Sequence, residues 1–232
     1  MAEANEGKNL LIEVDGEQFQ RLPIKTHVVM PGDDLDAFIQ QYVTEGTLVP
    51  GDTLFVTEKI VAITQGRSYL VEDITPRKLA HFLSKYVTRT PYGIGLGMPE
   101  TMEMALRECG TPKILFAAAV AAVTKAFGRK GDFYRIAGDK ARAIDGPTSG
   151  TIPPYNKAVV LGPERPAEVA AHLKALLKTS ADVAVVDIND LGGNILGSTL
   201  SKAGEQRLVR ILKDNPLGQG HQSTPLGVIR KA

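Results

Sequence analysis

Two groups of acidic and amide side chains carry the types and spacing that chemistry would need. Asp139 and Asp145 lie in the loop AGDKARAIDGPTSGTIPP, and Asp187, Asn189 and Asp190 close the apolar run of VVDINDLGG. Oxygen donors of this kind suit Mg²⁺ or Mn²⁺, which take one or two carboxylates and complete their shell with water and substrate phosphates. The same residue types also build Asx turns and cap neighbouring backbone, and spacing alone leaves both readings open. Cations gather at the same loop: Arg129, Lys130, Lys140 and Arg142 flank Asp139. A mixed-sign cluster beside glycines suits a metal-bound polyphosphate, although each of these side chains would also be ordinary on a solvated face. Lys59 differs, because it interrupts a β-rich apolar segment where a charge needs a partner.

Other chemistries find less support. The chain lacks GxxxxGK[ST], and GIGLGMP (Gly93, Gly95, Gly97) has Met98 where a dinucleotide fingerprint requires glycine. Glu100 in the helix start that follows would repel phosphate, so these glycines read as backbone geometry. His27, His81, His172 and His221 have no metal-pair spacing with one another or with Cys109, which argues against zinc. His221, in GQGHQST, could reach a ligand or could be a partnerless loop residue. A G-x-S-x-G elbow is missing, and Cys109 on the apolar side of a helix pattern reads as a small hydrophobe, so neither nucleophile is favoured.

The elements that would hold these residues follow from periodicity. LLIEV from Leu10 reads as a strand. PGDDLDAFIQQYV places Asp33 and Asp34 at a helix start, with Leu35, Phe38, Ile39 and Tyr42 on one face. Thr53 to Thr57 and Ile60 to Thr64 are β-rich runs, predicting a strand that bends or bulges at Glu58-Lys59. Thr75 as N-cap and Pro76 at the first position predict a helix with Leu79, Phe82, Leu83 and Tyr86 inward. Pro99 to Cys109 predicts a helix stopped by Gly110, and Lys113 to Phe127 a buried one. Residues 128–154, dense in Gly, Asp and Pro with short strand-like pieces, form the expected functional loop. Pro166 to Lys178 is helical and leads to the apolar strand DVAVVD, whose end carries Asp187, a common place for a working carboxylate. Glu205 to Asp214 is helical, and LGVIR is a last strand.

The 232 residues allow one large domain or two small ones at about 100 to 200 residues each. Apolar residues are 43% and charged residues 23%, a globular composition. Lys+Arg 27 against Asp+Glu 26 leaves no global field for nucleic acid or an anionic membrane, and 6% aromatics without Trp gives little stacking surface for single strands. A lone cysteine and an acidic start, MAEANEGKN, fit a reducing, cytoplasmic setting. The expected organisation is a polar, disordered stretch 1–9 and a single domain 10–232. Its expected class is α+β or mixed α/β, with two lobes sharing one core.

Taken together, these segments resemble the coenzyme F-420 gamma-glutamyl ligase family. PGDTLFVTEKIVAITQGR is similar to its N-terminal signature at Gly51, Asp52, Leu54, Lys59, Gly66 and Arg67. The loop AGDKARAIDG, the strand-end DIN, the Gly-rich turn and the final strand follow in the family's order, covering most of the chain from about residue 20. The resemblance implies a cytoplasmic homodimer. It implies that GTP, or ATP, and Mg²⁺ or Mn²⁺ serve to join L-glutamate to a carboxylate of a deazaflavin coenzyme precursor through an acyl phosphate. It puts Lys59 and Arg67 in the catalytic role and Asp187 with Asp139 or Asp145 on the metal. Lys59, Gln65, Gly66, Arg67, Asn189 and His221 would stand around the nucleotide. After D-x-N, better-known members continue with a basic segment where this chain has Leu191-Gly192-Gly193-Asn194, as in a shortened branch. An amide ligase with another acceptor, or a non-catalytic nucleotide- or protein-binding homologue, would share the same framework.

Overall fold

The apolar segments pack into buried clusters in each of two units. A computed structural model describes residues 3–87, 95–129, 131–189, 192–218 and 221–232. It divides into two compact units, Met1–Gly66 with Pro163–Ala232, and Arg67–Gly162. Gly93, Lys130, Asp190 and Leu191, singled out above, lie outside the described residues. In chain order the strands are β1 (Leu11–Val14), β2 (Glu17–Ile24), β3 (Thr53–Thr57), β4 (Ser68–Leu70), β5 (Ala158–Val160), β6 (Asp182–Asn189), β7 (Gly192–Ser198) and β8 (Leu226–Lys231). The helices are α1 (Leu35–Tyr42), α2 (Glu58–Thr64), α3 (Lys78–Ser84), α4 (Pro99–Cys109), α5 (Thr111–Ala126), α6 (Asp132–Ala137), α7 (Asp139–Arg142), α8 (Pro166–Leu176) and α9 (Lys202–Ile211). The class is α+β, as expected. Among the described residues no single helix is long and apolar enough to cross a membrane.

The first unit is built on a six-stranded sheet ordered β1-β2-β8-β3-β6-β7. Only β3 and β6 run parallel, in a register that sets Thr53 against Asp182 and Thr57 against Val186. Strands buried on both faces must be apolar throughout, and Leu54, Phe55, Val56 and Val183 to Val186 are fully buried. On one face Phe19, Phe55, Ala184, Val186 and Ile229 pack with Leu208, Ile211 and Leu212 from α9 and its C-cap. Caps start the helices: Asp34 accepts from the Ala37 amide at 2.8 Å, and Ser201 accepts from the Gly204 amide at 3.2 Å. In the second unit, β4 pairs antiparallel with β5, and α3 to α7 surround a core that includes Leu96, Met102, Leu106, Ile114 and Val159. Gly110, at φ +86°, turns α4 into α5 with a bend of 117°.

Several expectations are corrected. Ile60 to Thr64 is no strand: Glu58 to Thr64 form α2, and the charged pair marks a strand-to-helix junction. Ile60, Val61, Ala62 and Ile63 are all buried, so packing on every side outweighs the β preference of their branched side chains. Helix α3 starts at Lys78 with extended Arg77 before it, because the Arg77 amide and guanidinium both bond Glu103 and hold that residue out of the helix. Phe82 and Tyr86 are exposed, and their rings meet each other at 5.1 Å. In α5 only Ile114 and Ala117 are buried. The strand-like pieces within residues 128–154 are the short helices α6 and α7, separated by Gly138 at φ +89°. Strands β2, β4, β5 and β7 escaped the sequence reading.

Two glycines mark where this packing leaves no room. A Cβ on Gly197 would fall onto the backbone of Pro166 and Ala167, and one on Gly227 would fall onto the Phe55 ring. Because backbone cannot step aside, Gly197→Ala is expected to cost about 3 kcal/mol or more of stability. Gly150→Ala, with open space around it, should change stability by less than about 0.5 kcal/mol. Urea denaturation of the two variants side by side checks the difference.

Candidate functional site

The first unit gathers three of the sequence-selected residues at one end of its sheet. Lys59 lies in the first turn of α2, two residues past the end of β3, and Asp187 and Asn189 occupy the last positions of β6, the parallel neighbour of β3. In open α/β sheets this carboxyl end of parallel strands is where ligands settle. Asp187 and Asn189 share one face of β6, while Val186 and Ile188 point to the apolar layer with α9. Strand β7 pairs antiparallel alongside, with Asp187 opposite Asn194 and Asn189 opposite Gly192.

Gln65 and Gly66 end α2. The Gln65 side chain donates to the Glu164 carbonyl at 2.9 Å and accepts from the Glu164 amide at 2.7 Å, so both of its polar atoms bind backbone. Gly66, at φ +72°, returns its amide to the Ile63 carbonyl. His221 is exposed beside the Gly-rich turn. That turn is tied from the N-terminus: the Asn5 side-chain amide reaches the carbonyls of Pro216 and Leu217 and the Thr224 hydroxyl at 2.9 to 3.1 Å. Lys8 donates to the Asp214 carbonyl at 2.8 Å.

Arg67, Asp139 and Asp145 belong to the second unit. The Arg67 guanidinium is only 12% exposed; it donates from Nε to the Gly162 carbonyl and from Nη2 to Glu108 Oε1, both at 2.7 Å. Lys140 Nζ reaches the same carboxylate oxygen at 3.0 Å. Glu108 therefore joins the signature arginine to the Asp-bearing loop. Its burial works to raise its pKa, but hydrogen bonds from Lys140 and Arg67, with their charges, prevail and hold it below the ordinary glutamate value. Asp139 is 96% exposed and paired with Arg142 at 3.2 Å. Asp145 is anchored: its amide donates to the Val160 carbonyl at 2.8 Å and its carbonyl accepts from the Val160 amide at 2.9 Å. Among the described residues, no three of His, Cys, Asp and Glu stand together as a ready metal cluster.

The sequence reading missed Glu108, and its companion Glu103, which is buried between Arg77 and Arg107. The Glu103 to Arg107 spacing of four on a helix was visible in sequence, whereas the Arg67 to Glu108 pairing spans 41 residues and carries no local signal. Because folding lowers the Glu108 pKa, the stabilisation is complete above the ordinary glutamate range and is lost as pH falls through the depressed folded value. Glu108→Gln is expected to lose about 1 to 3 kcal/mol at neutral pH, and its deficit against the parent should shrink steadily under acid. Chemical denaturation across the acid range measures both.

A model of the F420-0:gamma-glutamyl ligase family matches residues 23–199 of the 232, a span that runs from within β2 through β3, the whole second unit and β6 to just past β7. No curated protein matched the chain. The family model covers well over half of the chain, including Lys59, Arg67, Asp145 and Asp187, and on that match the chain belongs to the F420-0:gamma-glutamyl ligase family.

Proposed function

We propose that this family member is a metal- and nucleotide-dependent ligase that joins the amine of L-glutamate to a carboxylate acceptor, a deazaflavin coenzyme intermediate in the first instance. The observation that carries the reading is the placement of Lys59, Asp187 and Asn189 toward the carboxyl end of two parallel strands within the matched region. The acceptor carboxylate attacks the terminal phosphorus of GTP or ATP, the bridging oxygen leaves with the diphosphate, and an acyl phosphate forms. The glutamate amine then attacks the acyl carbon, inorganic phosphate departs, the nitrogen loses a proton, and an amide remains. The protein's part is positioning and charge neutralisation.

Asp187 and Asn189 offer hard oxygen donors on one strand face, a set that fits Mg²⁺ or Mn²⁺ and not a soft metal. Within the second unit, Asp145, held to β5 by two backbone bonds, is better fixed than the solvent-facing Asp139. When bound, the metal would neutralise phosphate charge. Lys59, at the start of α2, is assigned to a phosphate oxygen, and Arg67, held by Glu108 and Gly162, to an anionic group of nucleotide or substrate. Gln65 and Gly66 shape the turn that carries Arg67, and His221 borders the Gly-rich turn. The setting proposed is cytoplasmic.

A second reading, an amide ligase with a different carboxylic acid as acceptor, is favoured by β7. Better-known members have a basic segment after the strand-end motif, whereas here residues 192–198 form an uncharged strand paired with β6. Both readings share the first test. Calorimetric titration with GTP, GDP and ATP, each with and without Mn²⁺, is expected to give metal-dependent binding of one nucleotide triphosphate, and Asp187→Asn to abolish it while the melting curve stays unchanged. Binding that survives Asp187→Asn removes that residue from the site, and the absence of any nucleotide binding removes the ligase mechanism.

A further inference from the structure

The first described residues of the chain are fastened to the segment that leads into β8. Besides the carbonyls of Pro216 and Leu217, the Asn5 side-chain amide donates to the Thr224 hydroxyl, which passes its own hydrogen on to the Leu217 carbonyl at 3.0 Å. Lys8 Nζ holds the Asp214 carbonyl, and the Lys8 amide closes a turn onto the Asn5 carbonyl at 2.9 Å. Behind them the buried Arg21 guanidinium bonds the Asn9 carbonyl on one side, and Asp214 and the Ile211 carbonyl on the other. Pro216, Leu217 and Thr224 are buried, so removing the Asn5 amide leaves buried oxygens short of a donor. The segment so held stands beside the candidate site. Strand β8 runs antiparallel to β3 with Leu226 opposite Val56, and the Thr57 amide donates to the Pro225 carbonyl at 3.0 Å. The residues before β8 therefore lie at the carboxyl end of β3, where Val186 of β6 is the other neighbour of Thr57 and Lys59 follows two residues on. Asn215 at φ +48° and Ser223 at φ +51° adopt the left-handed conformation there, which a residue other than glycine keeps where its surroundings dictate it, as at ligand clamps.

We propose that Asn5 is a positioning residue of the candidate site. The N-terminal segment is a clasp that keeps residues 214–218 and 222–225 in place beside the end of β3, and a metal-bound nucleoside triphosphate binds tightly only while the clasp is closed. This inference rests on the ligase reading above. Both halves of the clasp lie outside residues 23–199, the part of the chain that the family model matches. Asn5 acts through the two carbonyls and the hydroxyl that it holds. If nucleotide prefers the closed clasp, linkage requires the reverse as well: bound nucleotide must hold the clasp closed.

Hydrogen exchange read by mass spectrometry, together with calorimetric titration of GTP in Mn²⁺, tests it on the full chain. In Asn5→Ala, peptides covering residues 211–218 should exchange at least about tenfold faster, while those from β3 and β6 exchange as in the parent. Asn5→Asp keeps the shape without the donor and should behave as Asn5→Ala does, whereas Glu6→Ala, at an exposed neighbour, should change nothing. GTP with Mn²⁺ should slow exchange of the same peptides in the parent and should bind Asn5→Ala at least about tenfold more weakly. Exchange that is unchanged in Asn5→Ala overturns the clasp. Faster exchange with undiminished nucleotide affinity makes the segment an anchor only and overturns the positioning role, as does nucleotide binding that leaves exchange in the parent unmoved. A parent that binds no nucleotide overturns the ligase reading and this inference with it, a result distinct from a parent and an Asn5→Ala variant that bind alike.

Discussion

The parallel pairing of β3 with β6 is the constraint on which the rest of the architecture depends. Parallel neighbours cannot be joined by a hairpin and need a crossover that returns the chain to the same end of the sheet. Here that crossover leaves β3 through α2, passes through the entire second unit and comes back through α8. All other pairings in the six-stranded sheet are antiparallel. The price of the arrangement is a long-range register, Thr53 to Asp182 through Thr57 to Val186, which must be held by burial rather than by local turns. The apolar identity of both strands supplies that burial. It also fixes where Lys59 and Asp187 stand, one just past β3 and the other near the end of β6, at the same carboxyl end.

Buried charge is paired in both units: among the described residues, the buried carboxylates of Asp52, Glu103 and Asp132 are each held by arginine. Asp52, almost fully buried, receives Arg230 through Nε at 3.0 Å and Nη2 at 2.6 Å, and also accepts from the Val49 amide. Arg21, fully buried, bonds Asp214, the Ile211 carbonyl and the Asn9 carbonyl. Glu103 and Glu108 do the same on α4, each with two basic partners. Such pairs gain little over apolar packing, but losing one member strands a charge, so they fix geometry more than they add stability. Glu108 is the instance that ties the signature arginine to a lysine of the Asp-bearing loop.

Much of this was legible in the residues. Strands β1, β3, β6 and β8 and helices α1, α4, α8 and α9 follow from periodicity, caps and Pro or Gly stops, and the signature around Lys59 and Arg67 led to the family that the match bears out. What stayed hidden has physical causes. Ile60 to Ile63 look like strand because branched residues favour it, yet they are enclosed by neighbours that no local pattern reveals. Helix α5 looks buried because it is apolar all round, and composition cannot say whether its own unit or another surface covers it. The Arg67 to Glu108 bond lies between residues far apart in sequence, and Gln65 is consumed by a backbone clamp to Glu164 that only the fold shows.

The central claim, that this chain forms an amide between glutamate and a carboxylate at the expense of a nucleoside triphosphate, is tested most directly by mass spectrometry of the reaction. The protein is incubated with the deazaflavin coenzyme precursor, L-glutamate, GTP and Mg²⁺. The account predicts a product heavier by one glutamyl residue, with GDP and inorganic phosphate released in equal amounts and neither formed when glutamate and acceptor are omitted. A protein that binds nucleotide yet yields no amide with this precursor or with any of a panel of carboxylic acids would contradict it.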